Sequence, residues 1–351
     1  MRTPWLLTLV VMTPLAAPAD VLIGSWNIKH LGWQNDKAFP EVAHVANHFD
    51  LLAIQELMDT SALARLEQEV EALSGEAWSS MASHELGHSS YTEHYAFLWR
   101  ESEVAYADSA VVFLDHGDIF SREPYAARFR DVETGDLFTT ATVHVVYGDS
   151  VGDRLPEIEA LADYWQWLEE IASGTPRLLL GDFNLAPDHD GWAPLRALGA
   201  QPAITEGRST LSTTAGEYAN LYDNLWYEAG RLEVSDRGIL RFPELLALNH
   251  FEARDHISDH LPVYLGINGA RLAPEHADGG GVTVDTITPD CIDLNTDTPS
   301  RLDDLPHVGP ARAEAIVEGR PWTAASDLTA INGIGGGRLD DIRDSGLLCG
   351  G

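Results

Sequence analysis

The chain is 351 residues long and carries 55 acidic against 22 basic residues, a formal net charge of −33. Such a balance excludes a protein that grips polyanions through a basic overall field, and the length exceeds one average domain. Only Lys29 and Lys37 are lysines. An acidic surface of this density aids solubility, and it also suits concentrated salt, where self-repulsion is screened within about 3 Å at 1 M.

The first residues read as an address. Arg2 supplies the positive start, Trp5 to Met12 an apolar run too short to span a bilayer, and Ala17-Pro18-Ala19 a cleavage site before Asp20. Residues 1–19 are therefore expected to be a signal peptide and the chain to be secreted, extracellular or periplasmic.

From Val21 to about Gly266 strands and helices follow each other with short connections. VLIGSWNI, DLLAIQEL, HYAFLWR, AVVFLD, FTTATVHVVY, RLLLGDFN, LYDNLWY and HLPVYLGI are rich in β-branched and aromatic residues and predict strands. Helical spacing of apolar positions covers Phe39 to Phe49, Ser61 to Leu73 and Leu155 to Ile171. This mixture predicts an α+β fold of layers around paired sheets, over residues 20–268. A linker, residues 269–290, contains Gly279-Gly280-Gly281 and few large apolar residues, and a compact unit at 291–351 follows. Its two cysteines, Cys291 and Cys349, are the only ones in an exported chain and predict one disulfide.

Several of the strands end in polar residues. Asn27 ends SWN, Glu56 ends AIQE, Tyr91 and Glu93 open SYTEHYAFLWR, and His144 lies in TVHV. GDFN carries Asp182 and Asn184, two apart and so on one face of an extended chain. YDN carries Asp223, and SDHLP carries Asp259 and His260. Hydrolysis of a phosphodiester asks for these residue types: hard oxygens for Mg²⁺ or Mn²⁺, a group that activates water, and an acid for the leaving oxygen. Each motif alone is weak; their joint order carries the argument.

That order, WN, QE, Y-x-E, VH, GDFN, YD, SDH, resembles the endonuclease/exonuclease/phosphatase superfamily across roughly residues 21 to 267, and within it deoxyribonuclease I. FSREPYAARF, Phe120 to Phe129, is similar to that family's Arg-Glu-Pro segment. The resemblance implies a four-layer α/β/β/α sandwich with the site at the sheet tips. It implies Glu56 as principal metal ligand, with Asn27 and Asp259 completing or supporting the site. It pairs His144 with Glu93 and His260 with Asp223, one histidine activating water and the other protonating the 3′ oxygen, with His144 favoured as the acid and the assignment left open. Asp182 and Asn184 would meet the scissile phosphate, and Tyr91 and Arg122 would touch the DNA duplex, giving 5′-phosphate ends without sequence specificity. One departure stands out: where the family carries an arginine that enters the minor groove, two residues after the metal-binding Glu, this chain has Met58. Ca²⁺ is a further candidate, with oxygens from Asp115, Asp118 and Ser209 to Thr214.

In the last unit, Thr298 and Pro299 suit a helix start. LPHVGPARAEAI reads as a helix, a tight glycine-containing hairpin and a second helix starting at Pro310, and the pattern repeats in DLTAINGIGGGRLDDI. The doublet resembles the paired helix-hairpin-helix domain of the ComEA type, which implies DNA binding. Gly309, Gly333 and Gly335 would let backbone amides approach a phosphate, and Arg312 and Arg338 would add charge. Gly336 and Gly337 depart from the family's usual proline and basic residue. Two other readings are a phosphatase or phosphodiesterase of the same superfamily acting on RNA, lipid or inositol phosphates, and a non-catalytic DNA-binding protein.

Overall fold

The computed structural model describes residues 21–33, 37–88 and 91–272, and in the last unit 292, 294–295, 302, 305–322, 324–345 and 347–348. The expected signal peptide, most of the linker, Cys291 and Cys349 lie outside the described residues. No helix among the described residues is long and apolar enough to cross a membrane.

Two six-stranded mixed sheets face each other. The first joins β1 (Val21–Leu31), β2 (Leu51–Leu57), β3 (Trp78–Ala82), β4 (His94–Arg100) and two later strands, β11 (Val234–Ile239) and β12 (Val263–Ile267), in the order β11-β12-β1-β2-β4-β3. The second joins β5 (Val104–Val112), β6 (Tyr125–Asp131), β7 (Leu137–His144), β8 (Arg177–Asp182), β9 (Ala200–Pro202) and β10 (Asp223–Glu228), in the order β5-β6-β7-β8-β10-β9. Helices α1 (Phe39–Ala46) and α2 (Thr60–Ser74) cover the first sheet, and α3 (Val151–Ile171) and α4 (Ala193–Ala197) the second. Two short helices, α5 (Phe242–Leu245) and α6 (His250–His256), lead back to β12.

Strand alternation explains why the two sheets pack. In β1, Val21 and Ile23 enter the inter-sheet core with Phe97, Phe129, Leu180, Leu225 and Leu265, whereas Leu22, Trp26 and Ile28 enter the core under α1 and α2. A third core lies under α3, around Trp165, Trp192 and Trp226. A strand buried on both faces reads as a continuous apolar run, which is why β1, β2 and β8 were legible.

Four strands, β3, β6, β9 and β11, are not predicted, and β9 with three residues is too short to carry a pattern. β3 is serine-rich, and β11 (VSDRGI) mixes polar residues without alternation; both sit at sheet edges, where one side of the ladder needs no partner. β6 was hidden inside the Arg-Glu-Pro segment. Boundaries also move, β5 starting at Val104 where the predicted strand starts at Ala110. α3 starts at Val151, before the first periodic leucine, because Ser150 and Asp153 form a capping box. Ala270 and Leu272 are buried in the core of the first sheet, so the packed unit runs to Leu272.

In the last unit, α7 (Pro310–Glu318) and α8 (Gly336–Asp344) each follow a tight turn. Leu305, Val308, Ala313 and Ile316 correspond at one constant offset to Ile331, Ile334, Leu339 and Ile342, and all eight are buried together. The turn residues correspond too, His307 and Gly333 both having positive φ and Gly309 and Gly335 both extended.

Candidate active site

The tips of both sheets open into a cleft of about 640 Å³ lined by Glu56, His144, Asp182, Asn184, Asp259 and His260, among others. Two irregularities aim its residues. A register shift in β1 between Asn27 and Leu31 puts Lys29 and His30 at positive φ, and one in β2 between Ile54 and Leu57 does the same to Glu56. Asn184, just past β8, is a fourth non-glycine residue at positive φ. Such conformations cost on the order of 1–3 kcal/mol each, and they cluster where a side chain must be redirected. β7 and β8 run so close that a Cβ on Gly181 would collide with the Val143 carbonyl, which fixes the glycine of GDFN.

The two expected histidine pairs form. His144 Nδ1 lies 3.0 Å from Glu93 Oε1, and His260 Nδ1 lies 2.9 Å from Asp223 Oδ2. Their Nε2 atoms converge on one carboxylate, at 3.5 and 3.6 Å from Asp182 Oδ2. Strand pairing sets this up, because Asp182 sits opposite both His144 and Asp223 in the ladders. Asn27 Nδ2 donates to Asp182 Oδ2 at 3.2 Å and to Glu56 Oε1 at 3.0 Å, joining the metal candidate to the acid–base pairs.

Burial opposes charging of both imidazoles, yet the carboxylates outweigh it. Glu93 raises the His144 pKa above the ordinary 6.5, and Asp223 with Asp182 raises that of His260 well above it. Glu93 and Asp182 move the other way: burial pushes each carboxyl up, but the facing histidines hold it below its usual range. For Asp223 burial wins, pushing the carboxyl up to about 6 against the pull of His260. We place the shared proton on the imidazole. Asp223 Oδ2 already accepts from Ser209 Oγ at 2.7 Å, and a carboxylate accepts both bonds without a proton of its own.

For a divalent cation the donor chemistry fits. Glu56 Oε1 accepts from Asn27 Nδ2 and keeps a further lone pair, while Oε2 accepts from His30 N and has His30 Nε2 3.3 Å away. Asp259 lines the same cleft, with Arg254 Nη2 at 3.2 Å and Lys29 Nζ at 3.8 Å from Oδ2. Asp182, Asp223 and His260 also approach one another closely enough to share an ion, but there the imidazole is engaged by its own carboxylate. Hard oxygens suit Mg²⁺ or Mn²⁺ better than a protonated histidine does, so Glu56 is the stronger anchor.

Other expected residues sit as follows. Arg122 is only 8% exposed. It lines the cleft, its Nη2 donates to the His144 carbonyl at 2.8 Å, and its Nε lies 3.5 Å from Glu93 Oε1, so this guanidinium braces the pair. Asn184 Nδ2 donates to the Val145 carbonyl at 2.9 Å. Tyr91 lines the cleft, edge-on to His30 and Trp33. Asp115, offered as a calcium oxygen, accepts instead from the amides of Gly117, Ile119 and Phe120. Arg312 and Arg338 donate to hairpin carbonyls, of His307 and Gly333 respectively, each at 2.8 Å.

Several site residues escaped sequence reading. Tyr95, buried between the sheets, takes the His144 amide on its hydroxyl at 2.8 Å. Ser258 Oγ donates to the Asn27 carbonyl and accepts the His260 amide, tying SDH to the end of β1. Ser209, Lys29 and His30 are loop or bulge residues and Arg254 lies in the short helix α6, and their neighbours in the site are remote in sequence.

No protein-family model matches the chain. Among curated proteins, a deoxyribonuclease of Thioalkalivibrio sp. (strain K90mix) is 47% identical over 357 residues, covering 99% of this chain and 98% of that one. Mouse deoxyribonuclease-1-like 2 is 27% identical, covering 75% and 98%, and rabbit deoxyribonuclease-1 is 27% identical, covering 74% and 95%. Among solved structures, an endonuclease/exonuclease/phosphatase family protein of Bacteroides thetaiotaomicron superposes with a TM-score of 0.53 at 15% identity, over 71% of this chain and 98% of that one. The two-sheet sandwich is thus a fold this chain shares with that protein. With near-half identity along almost its entire length to one of their number, the chain is a nuclease and belongs to the deoxyribonuclease family.

Proposed function

We propose that this nuclease hydrolyses DNA, cutting within double-stranded DNA without sequence specificity. The observation that carries the reading is the convergence of two histidine–carboxylate pairs on Asp182, beside the Asn27–Glu56 pair. A Mg²⁺ or Mn²⁺ ion held by Glu56, with Asn27 and Asp259 in support, would supply charge against the phosphate oxygens. One imidazole Nε2 takes a proton from water as its oxygen attacks phosphorus, the P–O3′ bond breaks, and the other Nε2–H protonates the departing O3′, leaving a 5′-phosphate. We assign the acid to His260, which faces Asp223 and Asp182, and the base to His144, against which the Arg122 cation lies. Asp182 is an acceptor, so its part is to orient the two Nε2 groups and the water. Developing negative charge falls to the Asn184 amide, the imidazolium and the cation.

The last unit, with its repeated turn and helix, supports a paired helix-hairpin-helix domain that binds DNA. Exposed hairpin backbone around Gly309 and Gly335 would meet phosphates at short range. Bulk charge does not help, because carboxylates outnumber arginines there. Tethering of this kind raises local substrate concentration and offsets the contacts that salt weakens. We further propose that the chain is secreted, tolerates high salt, and closes Cys291 to Cys349; Ile292 and Leu348, their neighbours in sequence, pair as a parallel bridge.

The test is digestion of supercoiled plasmid, matched RNA and p-nitrophenyl phosphate by wild type and His144→Ala, with Mg²⁺ or EDTA. Metal-dependent nicking of plasmid that the variant loses is the expected result. Intact plasmid beside hydrolysed monoester would move the site to a phosphatase.

A further inference from the structure

The rim of the cleft on the β1 side is aromatic. Trp33 stacks on His30 with ring centroids 4.3 Å apart at 30°, and Tyr91 stands edge-on to Trp33 at 5.8 Å and 80°. The indole is 49% exposed, unusual for so large an apolar ring. Its seat is firm. Gly32, at φ +103°, leaves no space for a Cβ against Asp59, the N-cap of α2, and Met58 N donates to the Leu31 carbonyl at 2.7 Å. The platform also reaches the catalytic residues, because His30 Nε2 lies 3.3 Å from Glu56 Oε2 and Glu56 is joined through Asn27 to Asp182. An exposed ring face, backed by a second ring and placed one step from the phosphate site, has the chemistry of a stacking surface for a nucleobase.

Resting on the proposed DNA hydrolysis, we infer that Trp33, backed by His30 and flanked by Tyr91, is a subsite for one unstacked nucleobase of the strand being cut. Its occupant is a base face and neither a phosphate nor a sugar, since the platform presents a π-surface. A paired base in a duplex shows only its edges, so the subsite is filled when a base is frayed, unpaired or in a single strand. Stacking releases no counterions, and it therefore persists in salt that strips phosphate contacts. In a chain with so few cations this grip suits the acidic surface.

The experiment compares binding of a short oligothymidylate with an abasic oligomer of equal length, to the full-length chain with His144→Ala so that the strand is bound and not cut, in Mg²⁺ buffer at 0.1 and 2 M NaCl. The expected result is about tenfold tighter binding of the base-bearing strand at both salt concentrations, ~1.4 kcal/mol. Adding Trp33→Ala should abolish the preference, and Trp33→Phe should restore part of it. Equal binding of the two oligomers overturns the subsite. So does a preference that survives Trp33→Ala or is removed instead by Tyr147→Ala on the opposite rim. Failure of wild type to cut any DNA would instead defeat the functional reading, and the plasmid assay detects that separately.

Discussion

Replacing Asp223 by Asn keeps the shape of a buried side chain and removes one charge, yet its effect on the cleft is large. Asp223 Oδ2 accepts from the Ser209 hydroxyl at 2.7 Å and from His260 Nδ1 at 2.9 Å, and Oδ1 lies 3.1 Å from the same ring nitrogen. Ser209 Oγ accepts the amides of Tyr222 and Asp223, and its own proton has a much nearer acceptor in residue 223 than in the Asn220 carbonyl, 3.4 Å away. An Asn there has to turn its oxygen to Ser209, which leaves its NH2 facing His260 Nδ1. The charge that favours the imidazolium is gone, and a neutral ring that accepts from this NH2 carries its proton on Nε2 and presents no acceptor toward the cleft. Such a ring serves neither as the imidazolium acid nor as the base. The loss should be the whole contribution of one acid–base partner, about 10²–10⁴-fold in kcat, with little change in KM. Initial rates on a fluorescent duplex, alongside thermal melts to confirm folding, measure it. A folded Asp223→Asn enzyme within tenfold of wild-type kcat would refute the tautomer argument.

Three further outcomes follow from the same geometry. A histidine whose folded pKa is raised adds stability below its ordinary 6.5, and that contribution is lost as pH rises through the raised value. Melting temperature measured in EDTA should therefore decline above pH 6.5, and His260→Asn should flatten the decline; parallel curves would contradict the charge assigned to that ring. Arg122→Met leaves the Glu93 carboxylate and the His144 carbonyl without their guanidinium, so stability should fall by about 3 kcal/mol, on the order of 10 °C in Tm. An unchanged melt would mean that the bracing is not used. Deleting residues 273–351 should reduce DNA cleavage more at molar salt than at low salt, and equal loss at both would argue against the tether.

The parts of the molecule that could be read from sequence share a physical trait. β1, β2 and β8 are buried on both faces, and their apolar runs announce them, so Asn27, Glu56 and Asp182 at their ends could be placed at the sheet tips. Pairing of His144 with Glu93 and of His260 with Asp223 came through resemblance, and the ladders of β7, β8 and β10 explain why it forms. What could not be read depends on long-range geometry. Ser209 matters only because Asp223 is beside it, and Tyr95 only because the sheets face each other. The bulges that turn Lys29, His30 and Glu56 leave no local composition signal, since none of these residues is a glycine. Arg122, whose resemblance implies contact with the duplex, lines the cleft and also braces the His144–Glu93 pair, a second role with no sequence signal.

The central claim is that two histidine–carboxylate pairs and Asp182 act as one machine. Residues that act as a unit are far from additive when removed together. The measurement is kcat on duplex DNA for His144→Ala, His260→Ala and the double variant, each checked for folding. The account predicts that the double variant is within about tenfold of the worse single variant. Losses that multiply, as for two independent contributors, would contradict it.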